Sequence, residues 1–193
     1  GYVRRLAGNG VSAVIVDWAR SPFHRAHKGE LRTVRPDDLA SQVISGLIQR
    51  NDIDVAEFDD LILGCAYPEA EQGYNLGRLV TALSGFPESV PGRTINRLCV
   101  SSMHAILSAV SSIESGWGDC FMCAGVESMS RVKRRGFNWS PNPKLSVEWP
   151  QAYVEMGQTA ENVAEKWDIG RNEQEEFALQ SHVNSSSAAN QGN

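Results

Sequence analysis

Short apolar runs alternate with longer amphipathic segments along most of the chain. The runs at 11–17, 61–65, 94–98 and 120–124 predict four strands, because short apolar segments near turn residues are typical of strands. We expect the first of these strands to be mostly buried.

Three amphipathic segments follow the first three runs and predict helices. Asp37 is expected to cap the first, which ends near Asn51. Asn75 is expected to cap the second, which stops at Gly85. The third begins at Val100, and its helical spacing predicts one apolar face: Val100, Met103, Ile106, Leu107, Val110 and Ile113. Strands and helices in this order predict a layered α/β fold.

Cys99 lies between the third predicted strand and the helix that begins at Val100. The free N–H groups and the positive dipole end of a helix N-terminus stabilise a thiolate. Active groups in layered α/β folds lie outside strand ends, where this cysteine falls. Cys99 is therefore a candidate nucleophile for acyl transfer. The alternative is a buried structural thiol, since free cysteine is among the most buried residue types.

The character of the sequence changes after residue 130. Residues 131–150 are basic and then rich in Pro, Asn, Ser and Trp, which predicts a loop or insertion that leaves the first domain. Thr159 is expected to cap a helix that ends near Trp167, and Asn172 with Glu175 has the spacing of a capping box for the next. We therefore predict one domain at 1–130 and a second region at 131–193.

The composition narrows the classes of partner. The 193 residues are 41% hydrophobic and 21% charged, as in a globular protein, and the net charge of −5 disfavours nucleic acid as a partner. No apolar run approaches the length of a membrane span, and the glycines near Tyr74 form no nucleotide-binding motif. Cys120 and Cys123 form a Cys-x-x-Cys pair within a predicted strand, so we expect their thiols on opposite faces and in a structural role.

Residues 96–103 (Asn-Arg-Leu-Cys-Val-Ser-Ser-Met) resemble the nucleophile motif of thiolases, and most closely that of the 3-ketoacyl-CoA thiolases of fatty-acid β-oxidation. Further similar segments follow in order from about residue 11 to the end of the chain: 19–23, 35–40, 124–130, 136–143 and 156–164. An ordered set of this kind is far more specific than any single motif.

The resemblance implies a thiolase-like layered α/β/α N-terminal domain at 1–130 and part of an inserted, mainly helical loop domain at 131–193. It implies an acyltransferase that cleaves 3-ketoacyl-CoA to acetyl-CoA and a shortened acyl-CoA, or runs the reverse condensation, through an acyl-Cys99 intermediate. The family's histidine, second cysteine and asparagine belong to a C-terminal half that we expect to be absent, so the chain alone is expected to be inactive. Met156 is expected near the acyl or pantetheine end of the substrate. Coenzyme A and acyl-CoA are substrates, and no cofactor or metal is implied.

The family also implies a homodimer or a dimer of dimers formed through the first domain, without nucleic acid or a membrane span. The expected compartment is the bacterial cytoplasm, or mitochondria or peroxisomes in a eukaryote. Two alternatives stay open: a non-catalytic assembly fragment, and another condensing enzyme such as a ketoacyl synthase. The basic cluster at 131–135 either meets the phosphates of coenzyme A or forms a solvated turn. His104, five residues beyond Cys99 on the predicted helix, is a poor base for it.

Overall fold

The computed structural model describes residues 1–6 and 12–191, and the chain divides into two compact units, Gly1–Trp139 and Ser140–Asn193. The strands of the first unit are β1 (Tyr2–Leu6), β2 (Ser12–Asp17), β3 (Asp60–Gly64), β4 (Gly92–Ile95) and β5 (Cys120–Gly125). Its helices are α1 (Pro36–Asn51), α2 (Leu76–Leu83) and α3 (Ser101–Glu114). The second unit contains α4 (Pro143–Glu148), α5 (Met156–Lys166) and α6 (Arg171–Asn190). The predicted layered α/β fold is confirmed.

The sheet has the strand order β2-β1-β5-β3-β4. Strand β3 pairs in parallel with β4 and β5, whereas β1 pairs antiparallel with both β2 and β5. Because β3, β4 and β5 run in one direction, their carboxyl ends meet at one edge of the sheet. The loops that follow them, at 65–72, 96–100 and 126–130, therefore gather at that edge.

Strand β1 was not predicted, because its sequence, Tyr-Val-Arg-Arg-Leu, lacks a long apolar run. Pairing with neighbours on both sides nonetheless buries Tyr2 and Val3. The prediction that β2 is mostly buried is wrong, since the side chains of Ile15 and Val16 are 56% and 47% exposed. Strand β2 lies at the end of the sheet, where one side of a strand has no neighbour. Val11, which the prediction placed in this strand, lies outside the described residues.

Helices cover both faces of the sheet and enclose two apolar clusters. On one face, α1 and α2 pack with each other, and their buried side chains meet Leu61 and Leu63 of β3. On the other face, α3 contacts Ile62 of β3 and Phe121 of β5. Cys120 belongs to the first cluster and Cys123 to the second, which confirms that the two thiols lie on opposite faces.

Helix α3 buries only part of the apolar face that its spacing predicts. Its fully buried positions are Ala105, Ala109 and Ile113, whereas Met103 is 58% and Leu107 is 48% exposed. Small side chains at 105 and 109 allow α3 to lie close to the sheet, and the glycines at the ends of β3 and β5 leave room for the first turn of this helix. Ile113 of the predicted face is fully buried, and Ile106 and Val110 pack against the second apolar cluster, whereas Met103 and Leu107 are largely exposed.

The predicted cap of α1, Asp37, lies two residues after the observed N-cap. The helix begins at Pro36, and Arg35 is its extended N-cap, because a residue before proline avoids the helical region. Asp37 instead lies in the first turn, where its carboxylate accepts a hydrogen bond from the Asp38 N–H and pairs with the Arg35 guanidinium. The end of α1 at Asn51 is as predicted.

The second unit is helical, and both of its predicted caps are wrong. Helix α5 begins at Met156, three residues before the predicted cap Thr159. Helix α6 is capped at Gly170, whose N–H donates to Glu173 Oε2 at 2.8 Å, in place of the predicted pair Asn172 and Glu175. None of the helices formed by residues 1–6 and 12–191 has both the length and the apolar character that a bilayer crossing requires.

Candidate active site

Cys99 lies in a tight turn between β4 and α3. Strand β4 ends at Ile95, three residues earlier than predicted, and Leu98 adopts a left-handed conformation with φ of 49°. Asn96 Oδ1 accepts a hydrogen bond from the Leu98 N–H at 2.8 Å, which is an Asx turn. Ser101 Oγ accepts from the Arg97 N–H at 2.9 Å and donates to the Leu98 carbonyl at 2.6 Å. These contacts define the turn immediately before α3.

Cys99 is exposed, whereas the other three cysteines are buried. Burial and, to a smaller extent, the nearby carboxylate of Glu127 raise the pKa of Cys65 to about 12. Burial also raises the pKa of Cys120 to about 11 and that of Cys123 to about 12. A thiol reacts as its thiolate, so these three thiols are inert at neutral pH. Cys99 is not buried in this structure, and its role as the nucleophile stays a prediction.

Two glycines seat the first turn of α3 on the sheet. Gly64 and Gly125 are paired neighbours in β3 and β5. A Cβ on Gly64 would lie 2.4 Å from the Ser101 carbonyl carbon, and one on Gly125 would lie 1.9 Å from Ser102 Oγ. At Gly64 the atoms met are backbone, so no other residue type fits there without moving α3, whereas at Gly125 a Cβ would displace the Ser102 side chain. The two glycines therefore set the depth at which the Cys99 turn meets the sheet.

Sequence reasoning missed a group of hydrogen-bonded polar side chains at the loops that follow β3 and β5. This group, the polar hub, consists of Gln72 and Glu127. Gln72 is fully buried, and its Nε2 donates to the Tyr67 carbonyl at 2.9 Å and to Glu127 Oε1 at 2.6 Å. Its Oε1 accepts from the Ser128 N–H at 2.7 Å. Glu127 Oε2 accepts from the Ala66 N–H at 2.7 Å. Glu127 lies within a thiolase-like segment, but no sequence signal marks Gln72 as its partner.

The basic residues near the site already have partners. Arg131 forms a two-point ion pair with Glu71 and also contacts the Thr33 carbonyl. Lys133 lies over the ring of Phe137, and Arg135 lies 4.6 Å from the centroid of Trp139. His104 Nδ1 lies 3.4 Å from Arg97 Nη1, and both side chains line an open cavity of about 490 Å³ beside β4.

Met156 is the first residue of α5 in the second unit and is 58% exposed. Cys99 belongs to the first unit. The assignment of Met156 to the substrate stays a prediction.

The fold and this turn define a class of protein: a layered α/β domain that presents an exposed cysteine between a strand end and a helix. A family profile described as "Thiolase, N-terminal domain" matches residues 13–193. The chain therefore belongs to the thiolase family.

Individual relatives carry a more particular name. The chain is 44% identical over 180 residues to a 3-ketoacyl-CoA thiolase of Bacillus subtilis, and the match covers 93% of this chain and 46% of that protein. It is 41% identical, with the same coverage, to the 3-ketoacyl-CoA thiolases of Saccharophagus degradans and Acinetobacter baylyi. The chain thus spans a little under half the length of the curated relatives that it matches.

Proposed function

We propose that this chain is the nucleophile-bearing half of an acyltransferase that cleaves 3-ketoacyl-CoA with coenzyme A. The observation that supports the proposal most directly is the exposed thiol of Cys99 at the start of α3, among cysteines that are otherwise buried. The names of the relatives supply the substrate class. We propose coenzyme A and acyl-CoA as substrates, and no further cofactor.

In this proposal the sulfur of Cys99 bonds to the keto carbon of the substrate, and the keto oxygen takes up the negative charge. The oxygen then re-forms its double bond as the adjacent carbon–carbon bond breaks. The electron pair of that bond leaves with acetyl-CoA, whose carbon takes a proton. The thiolate of a second coenzyme A attacks the acyl-Cys99 thioester, and the Cys99 sulfur leaves. The backbone N–H of Cys99 is a candidate donor to the developing oxyanion.

In thiolases, the C-terminal half of the chain contributes the histidine that activates the nucleophile and the cysteine that exchanges the proton with acetyl-CoA. We therefore expect no steady turnover from these 193 residues alone. Met156 is proposed to line the acyl or pantetheine end of the substrate when the two halves are combined.

The test is thiolysis of acetoacetyl-CoA by the chain alone and by the chain joined to the C-terminal portion of the B. subtilis relative. We expect turnover from the hybrid only, and none from its Cys99→Ala variant. Incubation with acetyl-CoA followed by peptide mass mapping should place an acetyl group on Cys99. Turnover that survives Cys99→Ala would contradict the proposal, and strict dependence on malonyl-ACP would favour a ketoacyl synthase instead.

We also propose that the first unit forms a homodimer through α3 and β4. Strand β4 ends the sheet, and the apolar side chains of Val100, Met103 and Leu107 on the adjoining helix are exposed. Met103→Lys should then lower the mass measured by sedimentation, whereas Trp117→Lys, at a still more exposed position beyond α3, should not. A monomeric wild-type chain would exclude this surface.

A further inference from the structure

The buried amide of Gln72 joins two of the loops that gather at the carboxyl edge of the sheet. Gln72 ends the short 3₁₀ turn Ala70–Gln72, which follows β3, whereas Glu127 and Ser128 follow β5. Its oxygen and nitrogen both have partners on these loops. Buried polar groups are costly to leave unpaired, so each contact constrains the position of both loops.

A chain of hydrogen bonds continues from this hub to the turn that bears Cys99. Glu127 Oε2 accepts from the Ala66 N–H, and the Ala66 carbonyl on the other side of that residue accepts from Asn96 Nδ2 at 3.0 Å. Asn96 Oδ1 in turn accepts from the Leu98 N–H. The amide of Asn96 therefore bridges the loop after β3 and the turn before Cys99.

The left-handed conformation of Leu98 makes this bridge important. Residues with a side chain seldom adopt positive φ, and they stay there only when surrounding contacts hold them. Asn96 is one of those contacts, and it keeps its orientation only while the Ala66 carbonyl stays in place.

We propose that Gln72 and Glu127 are positioning residues for Cys99. They do not touch the substrate. They fix the loop at Ala66, which orients Asn96, which holds the turn that sets the direction of the Cys99 thiol. The inference rests on the proposed function only in taking Cys99 as the reacting group.

The exchange of amide and carboxylate provides a sharp test. A carboxylate at 127 accepts from both Gln72 and Ala66, but an amide has only one oxygen, so Glu127→Gln must lose one of these contacts. Gln72→Glu removes the donor and sets two carboxyl groups against each other. In the double variant Gln72→Glu/Glu127→Gln, an amide faces a carboxylate again, with the net charge unchanged.

The measurement is the second-order rate constant for alkylation of Cys99 by iodoacetamide, with the modified residue identified by peptide mass spectrometry. Iodoacetamide is not a thiolase substrate, so the result does not depend on the proposed activity. We expect each single variant to react roughly two- to fivefold more slowly, because a displaced turn moves the sulfur away from the N–H groups at the start of α3, and a helix N-terminus favours an exposed anion by about that factor. The double variant restores the contacts between positions 72 and 127 and with the Ala66 N–H, but it leaves the Tyr67 carbonyl without its donor, so it should recover part of the rate.

Two controls separate positioning from charge and from general destabilisation. The single variants change the charge in opposite directions, so a through-space effect would shift their rates oppositely. Thr81→Val removes a buried hydroxyl on α2 that donates to the Arg78 carbonyl at 2.6 Å. This variant should lower the urea midpoint by a similar amount to the single variants but leave the alkylation rate unchanged. Asn96→Ser, at an exposed position, can still accept from Leu98 but cannot reach Ala66, and it should reproduce the loss without unfolding the chain. Wild-type rates in both single variants, or an equal loss in Thr81→Val, would overturn the inference.

Discussion

Gly64→Ala tests how closely α3 is seated on the sheet. The added Cβ would lie 2.4 Å from the Ser101 carbonyl carbon and 2.5 Å from the Ser102 nitrogen. Both are backbone atoms in the first turn of α3, so no side-chain rotation relieves the clash. The helix start, and the Cys99 turn with it, must move.

The size of the movement follows from these distances. Carbon atoms in contact lie about 3.5–4.0 Å apart, so a 2.4 Å approach requires a shift of about 1 Å. Overpacking of this kind costs about 1–3 kcal/mol of the free energy of unfolding. A displacement of about 1 Å in a reacting group can lower a catalysed rate by about a hundredfold. We therefore expect both a less stable protein and a strong loss of acyl transfer in the hybrid enzyme.

The assay is urea unfolding followed by circular dichroism, together with the thiolysis rate of the hybrid. The matched control is Gly46→Ala, in the middle of α1, where a Cβ would meet nothing within 4 Å. This change should raise the free energy of unfolding by about 0.5–1 kcal/mol, because glycine disfavours a helix interior. If Gly64→Ala is as stable and as active as the wild type, α3 does not sit on the strand end as described.

Three further predictions concern reactivity, acid stability and the core. Iodoacetamide should add one group to the native chain, at Cys99, and four groups after denaturation, as intact mass would show; labelling of a buried cysteine in the native chain would contradict the burial described. Hydrogen bonds from Asn51 and Arg50 lower the pKa of Asp17 from 3.8 to about 2, so its stabilising contribution is present above pH 3.8 and lost as the pH falls towards about 2. Asp17→Asn should make the urea midpoint depend less on pH across that range. An unchanged pH dependence would refute the assignment. Phe58→Ala should lower the free energy of unfolding by about 3–5 kcal/mol, because the ring packs edge-on between two other aromatic rings. Phe23→Ala, at a position 87% exposed, should lower it by less than about 0.5 kcal/mol. Equal urea midpoints for these two variants would refute the prediction.

The sequence by itself determined the features that depend on local periodicity. The alternation of strands and helices, the position of Cys99 between a strand and a helix, and the opposite faces of Cys120 and Cys123 all follow from the spacing of apolar residues along one element. Helix ends were less well determined, because Pro36 and Gly170 compete with nearby carboxylates and amides for the role of first residue or cap.

Only the tertiary structure decided which elements are neighbours. Strand β1 joins the sheet despite its two arginines because it has a pairing partner on each side. Ile113 of α3 is buried while Met103 and Leu107 stay exposed, because only one side of the helix packs against the sheet. Gln72 and Glu127, 55 residues apart in sequence, meet because β3 and β5 are adjacent and parallel. Strand order places their loops together, and local periodicity carries no information about strand order.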